Sequence, residues 1–105
     1  MSNYFEVTDP RGKIVVCSQY QWDTHISNFH GVEDLQRSDL IETIQNPAEI
    51  YRDAFFLDRE CYYRFSKRHQ AYIKITVELH KTRNTVITAY KVDSVKKGEK
   101  IVWPR

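Results

Sequence analysis

From Ala71 to His80 the chain alternates without a fault, with Ile73, Ile75, Val77 and Leu79 on one side and Tyr72, Lys74, Thr76, Glu78 and His80 on the other. A period of two belongs to a strand, and one apolar face opposite one polar face indicates an antiparallel sheet buried on one side. The stretch "NTVITAYK", from Asn84 to Lys91, is dominated by β-branched and aromatic residues and reads as the next strand. A three-residue loop, Thr82-Arg83-Asn84 with Asn84 left-handed, would pair Lys81 with Thr85, Glu78 with Thr88 and Thr76 with Tyr90. Thr88 and Tyr90 would then join Lys74 and Thr76 on the polar face, with Ile87 and Ala89 in the core. An even loop would invert every side chain and bury Thr88 and Tyr90 instead.

The pattern changes nearer the N-terminus. After a turn signal at Asp9-Pro10-Arg11-Gly12, the run Lys13 to Cys17 is a short β-branched strand. Trp22, Ile26 and Phe29 then fall at i, i+4 and i+7, the stripe of a short helix that Gly31 should end. A second helical segment, Val32 to Asn46, carries Leu35, Leu40, Ile41 and Ile44, with Glu33 and Asp34 near its start, where the helix dipole favours negative charge. Pro47 stops it, because the residue before a proline avoids the helical region. Glu49 to Arg52 and Cys61 to Phe65 read as further strands. Two apolar helix stripes need a sheet to cover, so the expected fold is α+β: two N-terminal helices on one face of a mainly antiparallel sheet of four to five strands.

The chain has 105 residues, without internal repeat or linker, and reads as a single domain over residues 1–105. A net charge of +2 permits a polyanionic partner without demanding one. Seven tyrosines can fill a core, stack on bases or hydrogen-bond at a surface. Cys17 and Cys61 lie among apolar neighbours and read as buried thiols, with no metal-ligand spacing. The N-terminal residues resemble no leader and no apolar run approaches a membrane span, so a soluble, cytoplasmic protein is expected, without membrane association and without cofactor. Walker, GxGxxG, GxSxG, CxxC and HExxH motifs are absent.

On the strand from Cys61 to Phe65, Tyr62 and Arg64 share one side, and Arg64 is expected on the polar face with Lys74, Thr76, Thr88 and Tyr90. Cations and hydroxyls on a rigid sheet suit a phosphodiester, whose oxygens gain charge during in-line displacement. The same pattern is also what any half-buried sheet presents to water. Cleaving RNA through its own 2′-hydroxyl needs a base and an acid, and His25, His30, His69 and His80 are the available histidines. His25 and His30, in "THISNFHG", lie at or just after the end of the first helix. Their spacing does not match a helical zinc pair, so no metal is expected.

Taken in order, "WDTHISNFH", "NPAEIYRD", "CYYRF", "YIKITVEL" and "NTVITAYKV" resemble the phage-type members of the nuclease superfamily that unites barnase, EndoU, colicin-type tRNases and RelE-like toxins. The likeness covers most of residues 13–98. It implies a toxin-type endoribonuclease that cleaves tRNA, mRNA or rRNA by metal-independent transesterification to a 2′,3′-cyclic phosphate. Carried onto matching positions, it makes His25 the general base or acid and Arg64 the clamp on the scissile phosphate, while Thr88 and Tyr90 bind phosphate or orient the nucleophile. Lys74, Tyr62, Thr76 and His30 complete the expected set as substrate contacts. The family often continues from its second histidine into Pro-Glu, whereas His30 is followed by Gly31-Val32-Glu33. RNA and a neutralising antitoxin or immunity protein are the implied partners. The alternative is a catalytically silent α+β module that binds RNA or protein through the same face.

Overall fold

A computed structural model describes residues 2–27, 34–96 and 100–104. Strands β1 (Asn3–Thr8) and β2 (Ile14–Ser18) form a hairpin. Its turn is the one foreseen at Asp9 to Gly12: the Asp9 carboxylate accepts from the backbone N–H groups of Arg11 and Lys13, and Gly12 takes a φ of 87° that a side chain would resist. The helix α1 (Gln19–Gln21) begins at Ser18, whose hydroxyl caps it, and runs into a π-helical turn, Trp22–Ile26, closed by a bond from Ser27 N–H to the Trp22 carbonyl. After α2 (Arg37–Gln45) come β3 (Glu49–Arg52), β4 (Arg59–Ser66), β5 (Ala71–Glu78), β6 (Asn84–Val92) and β7 (Lys100–Trp103).

The fold is α+β, with a larger sheet than the pattern suggested. Among the described residues, seven strands run in the order β1-β2-β6-β5-β4-β3-β7, and the sheet is mixed, because β2 meets β6 in parallel through Val15–Asn84 and Val16–Thr85. The two edge strands β1 and β7 were not foreseen. The second helix is also shorter than expected: it starts at Arg37, so Asp34 stands before it, and Asp39 is the acid that accepts from the N-cap N–H of Gln36. Phe29, Gly31 and His30, the last an expected substrate contact, lie outside the described residues.

One sheet face is covered. Leu40 and Ile44 of α2 and Ile26 of the π-turn pack against Ile73, Ile75, Val77, Tyr62 and Ala89. The β1–β2 turn folds over this face too, where Arg11 bonds Asp9, the buried Glu60 and the Tyr62 hydroxyl.

The β5–β6 register departs from the expected one by two residues: Thr76 pairs with Thr88 and Lys74 with Tyr90. Because the side-chain period is two, Thr88 and Tyr90 still share a face with Lys74 and Thr76. The left-handed Asn84 turn does not form. Asn84 is instead buried at the start of β6, where its side-chain oxygen accepts from His80 N–H. An irregularity between Thr76 and Val77 places two residues of β6 against one step of β5, so Val86 and not Ile87 takes the core position opposite Val77.

Candidate functional site

The face away from the helices is built from three transverse rows of side chains on β3 to β6, open except where Tyr51, Cys61 and Tyr63 are buried against Val92 and Val95. Tyr51, Cys61, Thr76 and Thr88 form the first, Glu49, Tyr63, Lys74 and Tyr90 the second, and Phe65, Tyr72 and Val92 the third. Lys74 is half-buried at the centre, its ammonium 5.9 Å from the Tyr63 ring centroid and 5.6 Å from that of Tyr90. Burial works against its charge, yet Tyr63, Cys61 and Tyr90 together hold its pKa above the usual lysine value. Lys74 is therefore an ammonium at neutral pH: it can bind or stabilise negative charge but cannot serve as a base.

Around Lys74 lie neutral donors, the Tyr63 phenol and the Cys61 thiol, together with two acids, Asp53 in the adjoining cavity and Glu49 in the same row. Burial raises the Tyr63 phenol, which donates to the Lys96 carbonyl at 3.3 Å, and burial also raises the Cys61 thiol. Cys61 Sγ lies 3.7 Å from both Thr76 Oγ1 and Asp53 Oδ2, so it is a protonated bridge and not a ready nucleophile. Burial opposes the charge of Asp53, but the N–H groups of Phe55 and Phe56 and the Cys61 thiol hold its carboxyl below the ordinary range. A cavity of about 90 Å³ lies here, lined by Tyr51, Asp53, Phe55, Cys61, Tyr63, Lys74 and Lys96 among others.

Of the residues expected from the sequence, Lys74, Thr76, Thr88 and Tyr90 come together on this face. Tyr62 and Arg64 do not, which corrects their expected placement. Tyr62 is wholly buried on the covered face, its hydroxyl donating to Asp9 Oδ2 at 2.7 Å, so no substrate reaches it. Arg64 stands opposite the buried Ile73, on the helix side, where its guanidinium donates to Glu42 Oε1 and to the Asn46 carbonyl at 3.2 and 2.8 Å. It lines a groove of about 700 Å³ between α2 and the β4–β5 turn, so it cannot share a phosphate with Lys74 through the open face. His25 is exposed on the π-turn, which packs beside β6, and its ring centroid lies 6.3 Å from that of Tyr20.

Sequence reasoning missed Tyr63, Asp53 and Phe55, whereas Lys96 belongs to a basic tail segment already read as able to add phosphate contacts. Tyr63 shares the parity of Cys61, but Cys-Tyr-Tyr-Arg-Phe offers aromatic groups on both sides and no signal of which side is covered. His69 was also passed over. Its buried ring lies between Asp34 and Asp39, with Nδ1–Oδ2 and Nε2–Oδ2 separations of 3.3 and 3.1 Å. Those acids also hold Lys91 and Arg68, respectively, so His69 belongs to a structural ion network away from Lys74.

No family model, curated protein or solved structure matches the chain.

Proposed function

We propose that the open face binds RNA and that the protein is a metal-independent endoribonuclease of toxin type. The observation that carries this reading is the protonated Lys74 held between Tyr63 and Tyr90, with the Thr76 and Thr88 hydroxyls in the adjoining row. A fixed cation flanked by phenol and hydroxyl groups suits the equatorial oxygens of a phosphodiester, whose charge grows in the transition state. In the reaction the 2′-oxygen bonds to phosphorus while the bond to the 5′-oxygen breaks. The 2′-hydroxyl proton goes to a base, and an acid supplies a proton to the departing 5′-oxygen, leaving a 2′,3′-cyclic phosphate and a 5′-hydroxyl.

His25 is the histidine assigned to one of those transfers, as the family resemblance implies. Its place in a π-helical turn fits this role, since such turns recur at functional sites. Lys74 takes the phosphate-binding role that the resemblance gave to Arg64, whose guanidinium faces α2. A neutralising partner protein belongs to the same proposal.

The test is incubation of the purified protein with total RNA in EDTA, beside His25→Ala and Lys74→Ala, with analysis of fragment ends. Cyclic phosphate ends from the parent alone support the reading. RNA bound but left uncut by the parent would identify a silent binding module. Cleavage undiminished in Lys74→Ala would remove the open face from the site.

A further inference from the structure

The loop between β3 and β4 exposes three large apolar residues in succession, Phe55 at 83%, Phe56 at 48% and Leu57 at 79%. Exposed apolar groups in a row call for an explanation. The loop is firmly built. Asp53 Oδ1 accepts from Phe55 N–H at 2.8 Å and from Phe56 N–H at 3.0 Å, while Asp53 N–H bonds the Arg59 carbonyl and Arg59 N–H the Phe56 carbonyl. The Arg59 guanidinium lies over the Phe56 ring, 4.1 Å from its centroid, and ties that ring down. Phe55 is left presented to solvent by a fixed turn.

Phe55 also lines the same cavity as Lys74, Tyr63 and Lys96. An aromatic ring beside two cations matches one nucleotide unit, a flat base joined to an anionic phosphate. Asp53, the acid of this cavity, already accepts from two N–H groups, which lessens its repulsion of phosphate. A base inside a duplex is stacked on both faces and paired along one edge, so it cannot lie flat on a ring that projects from a turn. We propose that Phe55 is a stacking platform for an unpaired base, and that the ligand of the open face is therefore single-stranded RNA. This rests on the RNA-binding reading of the Lys74 face and adds its substrate class.

The experiment measures fluorescence anisotropy of a labelled 2′-O-methyl RNA octamer, which cannot be cleaved through its 2′-oxygen, and of its duplex, in EDTA over a range of salt. The expected result is that Phe55→Ala weakens single-strand binding by about tenfold with an unchanged salt slope, whereas Lys74→Ala weakens it with a slope lower by about one. Phe55→Trp should restore affinity, and its emission should be quenched by the single strand and not by the duplex. If Lys74→Ala loses affinity while Phe55→Ala binds like the parent, the platform is overturned and the RNA face stands. If the parent binds neither form, both readings fall. Parental self-association, seen by sedimentation and abolished by Phe55→Ala without change in RNA affinity, would assign the loop to a second copy and overturn the proposal.

Discussion

Tyr62 and Tyr63 are neighbours on β4 and face opposite sides of one sheet. The Tyr62 hydroxyl donates to Asp9 and accepts from Arg11, which in turn reaches Glu60, so the polar groups of that cluster answer one another inside the fold. Burial and the Asp9 carboxylate drive the Tyr62 phenol far above its usual pKa. Tyr63 looks out onto Lys74, which takes part in none of the salt bridges among the described residues. A closed network spends its hydrogen-bonding capacity on stability. The half-buried Lys74 ammonium instead meets the neutral phenols of Tyr63 and Tyr90.

The largest contrast should appear when each face loses its cation. Arg11→Ala leaves two buried carboxylates without a counter-charge and is expected to cost about 3–5 kcal/mol, whereas Lys74→Ala should cost less than about 1 kcal/mol. Urea unfolding at 25 °C measures both. Comparable losses would abolish the distinction between the faces.

Removing single hydroxyls gives a smaller effect in the same direction. Tyr62→Phe takes a donor from the buried Asp9 and should destabilise by about 1–3 kcal/mol, while Tyr63→Phe, which loses bonds to the carbonyl of the exposed Lys96 and to the Lys74 ammonium, should cost under about 1 kcal/mol. Equal costs would mean that the Tyr63 hydroxyl is structural.

The cysteines offer the finest probe. Burial alone pushes Cys17, on the covered face, up to about 12 from 9.0. Burial also raises Cys61, but Thr76 and Lys74 pull it back. A folded pKa above the unfolded one means that stability contributed by the Cys17 thiol is complete below pH 9 and is lost as the pH rises towards about 12. Stability measured across that window should fall less steeply in Cys17→Ala. Iodoacetamide at pH 8.5 should modify Cys61 before Cys17, and peptide mass analysis after timed quenching reports the order. Faster reaction at Cys17 would show that the covered face opens more readily than the uncovered one.

Much of this arrangement was legible in advance. In β5 only one set of alternate residues is apolar, so both the strand and its two faces follow from the pattern. The open-face grouping of Lys74, Thr76, Thr88 and Tyr90 even survived a two-residue error in register, because a shift of two leaves each side chain on its own face. In β4 both alternate sets contain aromatic residues, and the pattern cannot say which set meets the helices. Arg64 and Tyr62 were misplaced for that reason. The edge strand β7 escaped because its pairing partner is distant in the chain, Ile50 against Trp103, while β1 pairs locally with β2 in a hairpin that the short Asn3–Thr8 run did not announce.

By itself, the order of residues determined where strand and helix periods occur, where Pro47 ends α2 and where Gly12 permits the first turn. These are local matters of backbone sterics and of which side of an element is apolar. Only the tertiary structure decided that β2 lies beside β6, that the Asp9–Gly12 turn brings Arg11 onto Glu60, and that Tyr63 and Phe55, with Lys96, surround Lys74 in place of Tyr62 and Arg64. The first two of those contacts join segments far apart in the chain, and the third turns on which face of the β4–β5 hairpin the helices cover. Their choice depends on the summed burial of the whole core, which no short window of sequence contains.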